Sequence, residues 1–257
     1  MNWLEQWRAL LTIVVREVRR FTRIWMQTLL PPAISTGLYF VIFGALIGAR
    51  IGKMGGYDYM EFIVPGLVMM AVITNAYSNV VSSFYNTKFQ RSIEEMLVSP
   101  TPNYIILLGY VLGGTARGLM VGAIVIALSL FFTHLQVHHM LVTLMVVVMT
   151  AVLFSLGGFI NAVFAESFDD ISIVPTFVLT PLTYLGGVFY SIDLLPEFWR
   201  QVSLLNPILY MVNSFRYGIL GVSDVSIGWA LGMIFSCIVV LALYALSLLN
   251  RGVGIRS

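Results

Sequence analysis

Lys88-Phe89-Gln90-Arg91-Ser92-Ile93-Glu94-Glu95-Met96-Leu97-Val98-Ser99-Pro100 is a short charged stretch in a chain that is otherwise almost entirely compatible with a lipid bilayer. Wound as a helix, it gathers Phe89, Ile93, Met96 and Leu97 on one face at i, i+4, i+7 and i+8. Lys88, Arg91, Glu94 and Glu95 fall largely on the rest. The segment is too short and too charged to cross a membrane. It is also too amphipathic for a plain connector, and Pro100 and Pro102 stop it before the next apolar run. Two readings stand: an apolar knob on which another protein docks, or a helix lying flat on the bilayer.

On either side of this segment the composition is that of a polytopic membrane protein. Of 257 residues, 59% are hydrophobic and 10% charged, against roughly 25% charged in ordinary soluble domains. Six runs approach the ~20 apolar residues that a spanning helix needs, at 24–48, 61–86, 104–132, 140–165, 171–190 and 227–250. Ahead of them, in residues 1–22, Trp3, Leu4, Trp7, Leu10, Leu11, Val14, Val15 and Val18 recur at helical spacing, with Glu5, Arg8, Thr12, Arg16 and Arg19 between them. That pattern predicts an interfacial helix with tryptophan anchors. Arg16, Arg19 and Arg20 follow its apolar stretch and no small-residue cleavage site precedes them, so a cleavable signal peptide is not expected.

Residues 191–220 are too apolar for a solvated linker. Pro196 opens one short helix through Leu205, then Asn206 caps and Pro207 starts a second. They predict a re-entrant hairpin dipping into the outer leaflet, the alternative being a pair lying on the outer membrane face. The expected fold is therefore an all-α integral membrane protein, a single domain over 1–257: six transmembrane helices, an N-terminal interfacial helix, the charged helix near 88–99 and the hairpin.

Orientation follows from lysine and arginine. With a cytoplasmic N-terminus, Arg8, Arg16, Arg19, Arg20, Arg23, Lys88, Arg91, Arg251 and Arg256 collect inside, and Arg50, Lys53, Arg200 and Arg216 outside. Both termini and the charged helix then face the cytoplasm. The connection at 166–170, with Glu166, Asp169 and Asp170, carries no basic residue, but acidic groups weigh little in this rule. A net charge of +2 without a basic stripe excludes a nucleic-acid partner. The single cysteine, Cys237, excludes an internal disulfide.

No catalytic constellation is present. His134, His138 and His139 crowd one outer connection without a nearby acid or thiol, which reads as interfacial histidines rather than a metal site. Gly48-Ala49-Arg50-Ile51-Gly52-Lys53-Met54 is one residue short of a phosphate-binding loop and lacks its hydroxyl, so ATP hydrolysis is not expected of this chain. The second span carries a polar stripe, Asn75, Asn79, Ser82 or Ser83, and Asn86, which must face the bundle or a wet cavity. Helix packing and a substrate path explain it equally. Gly109, Gly113, Gly114, Gly118 and Gly122 in the third span offer close approach to another helix. Among them Arg117 is a basic residue deep in a span, with an anionic headgroup or Glu94, Glu95 or Asp170 as partners, in a structural or a functional role.

Arg91-x-x-Glu94-Glu95-x-Leu97-x-Ser99-Pro100, Pro181-Leu182-Thr183-Tyr184-Leu185-Gly186-Gly187-Val188-Phe189-Tyr190, and Leu205-Asn206-Pro207 followed by Phe215-Arg216 together resemble the ABC-2 type permeases, akin to drug and lipo-oligosaccharide exporters. The resemblance covers essentially the whole chain. It implies a bacterial inner-membrane homodimer pairing with two separate ATP-binding-cassette subunits, which hold ATP and Mg, while this chain binds no cofactor. Residues 88–99 would be the family's coupling helix, with Phe89, Arg91, Ile93, Glu94, Glu95, Met96 and Leu97 meeting the ATPase. On that reading Ile93→Asp or Leu97→Asp should detach the ATPase and leave the bundle folded. Residues 191–220 would be the family's extracellular re-entrant helices, and spans one and five the dimer seam along the export path. Path candidates are Asn75, Asn79, Ser82, Arg117, Tyr184, Phe189 and Tyr190, beside Tyr39, Phe40 and Phe43; any single aromatic serves packing as well. The cargo would be amphipathic: a drug, a lipid or a lipid-linked saccharide. A secondary transporter or channel is the alternative and calls for intramembrane carboxylates, yet Glu61, Glu166, Asp169 and Asp170 fall near span ends. A membrane scaffold that recruits a partner without transport is a third.

Overall fold

The computed structural model describes residues 2–254, so Met1 and Arg256 lie outside the described residues. Helix α1 (Trp3–Arg23) opens with the Asn2 N–H donating to the Glu5 carboxylate at 2.9 Å. Its inward line is Ile13, Glu17 and Phe21, one residue per turn, while Trp3, Leu4, Trp7 and Leu11 stay exposed. The next apolar run is interrupted. It comprises α2 (Trp25–Thr28), α3 (Leu30–Tyr39), a wide π-helical stretch Phe40–Ile47 and α4 (Gly48–Ile51). Pro31 and Pro32 have no N–H to give to the carbonyls of Gln27 and Thr28, and the helix breaks at Leu29. A two-residue hairpin follows, β1 (Lys53–Met54) and β2 (Tyr57–Asp58), turning through Gly55 and Gly56 at φ 60 and 87.

Helix α5 (Tyr59–Phe89) is the centre of the bundle: 78% of its most apolar window is buried, against 17% for the first span. It stops where Arg91 takes a left-handed backbone, φ 58, and the short α6 (Ser92–Val98) begins. Helices α7 (Asn103–Ser129) and α8 (Met140–Phe164) flank α5. The glycines of α7 divide between two partners: Gly109 and Gly113 seat Ile13 and Glu17 of α1, while Gly114, Gly118 and Gly122 seat Val80, Ala76 and Val72 of α5. From α8, Gly158 meets the Tyr77 backbone so closely that a Cβ there would stand 2.5 Å from the carbonyl oxygen. Lys88 closes the C-terminus of α8, its Nζ donating to the carbonyls of Val163 and Ala165, each at 2.8 Å.

The fifth apolar helix is shorter than its sequence run. Helix α9 (Asp170–Val174), a wide turn at Pro175–Leu179 and α10 (Thr180–Leu185) form one piece that ends at Gly186, not at Tyr190. The expected range 171–190 is corrected on that side, because Gly187 at φ 72 turns the chain away. Within it, the Thr180 N–H and hydroxyl both reach the Pro175 carbonyl, five residues back, since Pro181 has no N–H to continue the regular ladder. Among the described residues five helices are therefore long and apolar enough to cross a membrane, and Asp170–Leu185 is a shorter apolar helix.

Two short helices follow, α11 (Glu197–Leu204) and α12 (Pro207–Leu220), before α13 (Ile227–Arg251). Asn206 hinges them: its side-chain oxygen accepts from the Ile208 N–H at 3.0 Å and its amide donates to the Leu182 carbonyl. Helix α12 is buried against α5, α8 and α13, whereas α11 leaves Phe198 and Trp199 exposed.

Candidate functional site

At the α6 end the single helix expected from Lys88 to Ser99 is corrected to two pieces. Lys88 and Phe89 finish α5; the Arg91 N–H then bonds back to the Lys88 carbonyl at 2.9 Å, and α6 starts on a new axis at Ser92. The turn separates residues that one helix would have put on one face. Phe89 is 64% exposed and stacks edge-on against Phe168 at 5.1 Å, but Ile93 is 1% exposed and belongs to the core. Ile93 is thus not a free docking knob, and the expectation that Ile93→Asp spares the bundle is overturned. Met96 is half-buried, its sulfur 3.9 Å from both Arg16 Nη1 and the Tyr110 hydroxyl. The side chain of Leu97 lies outside the described residues. Arg91, Glu94, Glu95 and, at 87% exposure, Val98 form the outward surface of α6.

Behind α6 a polar chain runs inward. Arg16 Nη2 donates to the Tyr110 hydroxyl at 2.8 Å, and that hydroxyl donates to Thr87 Oγ1 at 3.0 Å. Next along α1, Glu17 is 1% exposed, pressed on Gly113 and paired with Arg16 at 3.3 Å and Arg20 at 3.4 Å. Arg20 Nη2 in turn donates to the Asn79 carbonyl at 3.0 Å and its side-chain oxygen at 2.9 Å. One turn further along α5, Asn75 Oδ1 accepts from Arg117 Nη2 at 3.2 Å. The same Nη2 donates to the Thr28 carbonyl at 3.3 Å, the acceptor that Pro32 leaves without its helical partner.

Arg117 therefore meets neither Glu94, Glu95 nor Asp170 as its partner, which corrects the sequence expectation. Asp170 instead accepts the backbone N–H groups of Glu166 and Ser167, each at 2.9 Å. Of the polar stripe, Asn75 and Asn79 join this junction, while Ser82 bonds within its own helix to the Ser78 carbonyl at 2.7 Å and Asn86 is exposed. Sequence reasoning passed over Glu17. Its signal was the i, i+4 pair Ile13/Glu17 matching the i, i+4 pair Gly109/Gly113.

Asn75 also ends a cleft of about 250 Å³ between the first span and α5, lined by Ser35, Thr36, Thr74, Tyr39, Leu67 and Met70 among others. Tyr39 carries the cleft into an aromatic cluster. Its hydroxyl lies 3.4 Å from that of Tyr184, and the Phe189 ring sits 4.6 Å from Phe43 and 5.9 Å from Tyr184. Phe40 points elsewhere, fully buried against Phe132 at 5.4 Å, and Tyr190 is half-buried outside the cluster's ring contacts. On the other side of the fold, His134 and His138 line a cavity of about 530 Å³ with Tyr57, Glu61 and Gln136.

Arg216, counted above as an outer charge, is 1% exposed and corrects that reading. Its guanidinium lies over the Phe62 ring at 4.0 Å and donates to the Gly187 carbonyl at 2.6 Å, the Phe62 carbonyl at 3.4 Å and Asn213 Oδ1 at 3.4 Å. It ties α12, α5 and the turn after α10 together. Arg216→Lys keeps the charge but loses the planar fork, and is expected to destabilise by about 3 kcal/mol. Thermal unfolding of the detergent-solubilised chain checks this; an unchanged midpoint would show that a point charge suffices.

These features define a multi-pass helical membrane protein in which α1, α5 and α7 share a buried polar junction and the short charged helix α6 is seated at one end of the bundle with its charged face outward. The family model described as ABC-2 type transporter matches residues 8–220. The chain belongs to that family. It is 60% identical to the inner membrane transport permease YadH of Escherichia coli (strain K12), over 98% of each chain. It is also similar, at 24% identity over 98% of its own length and 95% of the relative's, to nodulation protein J of Rhizobium leguminosarum bv. viciae.

Proposed function

We propose that this chain is the transmembrane permease subunit of an ATP-driven exporter in a bacterial inner membrane. Its cargo is an amphipathic substrate, a drug, a lipid or a lipid-linked saccharide, taken from the cytoplasm or the inner leaflet. The observation that carries this reading is the seating of α6. Ile93 is anchored in the core and Met96 abuts the Arg16–Tyr110 pair, while Arg91, Glu94, Glu95 and Val98 face outward. A loose loop would absorb a push; a helix seated in the core and against α1 and α7 passes it on. The occupant of that outward face is an ATP-binding-cassette subunit, two copies serving a homodimer of permeases, with ATP and Mg held on those partners.

In this arrangement α6 and both termini lie in the cytoplasm, Asp170–Leu185 is the fifth of six crossings, and 191–220 is a re-entrant hairpin in the outer leaflet, all within one domain. The first span, Asp170–Leu185 and α13 are all sparsely covered, and the first two, joined by the Tyr39–Tyr184 contact and by Phe43–Phe189 just beyond it, would form the dimer seam. The cleft at Asn75 and the cluster of Tyr39, Phe43, Tyr184 and Phe189 then line the path. ATP-driven closure of the partners shifts the spans through contacts that differ between two states. The test is to purify the chain from native membranes in mild detergent, identify companions by mass spectrometry and assay ATP hydrolysis. A P-loop ATPase at one copy per permease is expected. No companion and no nucleotide turnover, with the dimer intact, would overturn the reading in favour of a secondary transporter or channel.

A further inference from the structure

We infer that the junction of α1, α5 and α7 is a binding site for the phosphoryl oxyanion of an anionic lipid headgroup, held between the guanidiniums of Arg20 and Arg117. Three observations converge there. The first is charge. Arg16, Arg20 and Arg117 are set against a single carboxylate, Glu17, and among the described residues Arg117 forms no ion pair with any acid. Two positive charges are left over in a partly desolvated setting, where an isolated cation is costly.

The second is hydrogen bonding. The buried Nε of Arg20, Nε of Arg117 and Nδ2 of Asn79 have no acceptor among the described residues, while the Glu17 carboxylate is already engaged by Arg16 and Arg20. Three unsatisfied donors call for an acceptor-rich group, and a phosphoryl oxyanion offers only acceptors. Asn75 and Asn79, each gripping one of the guanidiniums, are four residues apart on α5, about 6 Å along the axis. The two guanidiniums are thus held on adjacent turns of α5, the arrangement that bridging by one phosphoryl group requires.

The third is the surrounding surface. The Arg20 side chain is 32% exposed, so the site opens to the exterior. The cleft that begins at Asn75 continues with the hydroxyls of Ser35, Thr36 and Thr74 and the apolar walls of Leu67 and Met70. Beyond it the first span bares Leu30, Ile34 and Leu38. Cation, hydroxyls, then apolar surface is the order of groups along a glycerophospholipid. A zwitterionic lipid would bring a third cation to the junction and is disfavoured.

Whether that headgroup belongs to cargo rests on the permease reading; the presence of the site does not. The full chain in mild detergent is titrated with phosphatidylglycerol and with phosphatidylcholine of the same acyl chains, and bound lipid is counted by native mass spectrometry. A preference for phosphatidylglycerol of about tenfold is expected. Arg20→Gln and Arg117→Gln should each bring it below about threefold, while Arg19→Gln, exposed on the same helix, leaves it intact. Arg117→Gln also releases the Thr28 carbonyl, and Arg20→Gln leaves Glu17 paired with Arg16 alone, so both preferences are read on the monodisperse fraction of each variant. No preference in the wild type, or a full preference in Arg20→Gln, overturns the site. Inorganic phosphate displacing the lipid at equal concentration overturns the lipid assignment in favour of a free anion. When ATP is added to the permease–ATPase complex in vesicles, loss of bound phosphatidylglycerol marks it as cargo and retention marks a resident lipid; either supports the site. Failure to find an ATPase sinks the permease reading and leaves the lipid titration readable.

Discussion

A chain carrying Gly158→Leu is expected to lose the monodisperse species in mild detergent almost completely, with yield falling at least about tenfold. The contact is backbone on backbone: a Cβ at this position meets the Tyr77 carbonyl oxygen at 2.5 Å and its carbonyl carbon at 3.2 Å, on the most buried helix of the protein. No rotamer change relieves that clash, so α5 and α8 must separate. Separation uncovers the seam formed by Val80, Phe84 and Phe159 and costs well over the 1–3 kcal/mol typical of overpacking. Gly232→Ala in α13 is the control. Nothing lies within 4 Å of its added Cβ, and replacing a helical glycine there should be neutral or stabilise by about 0.5–1 kcal/mol. Size-exclusion profiles and thermal midpoints of the two variants separate the cases. A well-behaved Gly158→Leu protein would mean that the helices can part without loss of the fold.

The second large effect divides two neighbouring positions by what they touch. Val98→Asp, on a residue 87% exposed, should leave expression and melting of the permease within about 0.5 kcal/mol of the parent. It adds a third negative charge beside Glu94 and Glu95 on the outward surface of α6 and should weaken the ATPase complex by about 2 kcal/mol, roughly thirtyfold. Ile93→Asp should do the opposite and destroy the folded bundle before any partner can be tested, because it places a carboxylate at a position 1% exposed among apolar side chains. Co-purification of the ATPase, read beside detergent stability, checks both. A folded Ile93→Asp permease that merely loses its ATPase would restore Ile93 to the docking surface.

The helices were legible because apolar length and proline or asparagine punctuation are local signals. Asn206-Pro207 set the start of α12 to the residue, and the glycines of α7 announced close approach, though not that they serve two different partners. What escaped was decided by tertiary contact. The break at Gln90-Arg91 depends on a single left-handed residue that carries no glycine or asparagine mark, so the helical wheel drawn across it merged exposed Phe89 with buried Ile93. Arg216 was counted as an outer charge and Arg117 as a cation deep in a span, yet both proved to be held in the bundle by backbone carbonyls and asparagines. Only the packing distinguishes one sealed among carbonyls from one left with an unpaired donor. Glu17 drew no reading at all, because its burial depends on the matching glycines of α7 and not on its own helix.

The piece from Asp170 to Leu185 has 16 residues, about 24 Å of helix at 1.5 Å per residue, whereas the hydrocarbon core is about 30 Å thick. If it crosses the membrane as proposed, the mismatch of about 6 Å is met at the margins of the dimer seam by the lipid, which thins there. A polar headgroup crossing beside this helix would have a shorter oily distance to cover than anywhere else on the perimeter. The length of one helix then lowers the barrier to translocation by deforming the bilayer itself, before any nucleotide is spent.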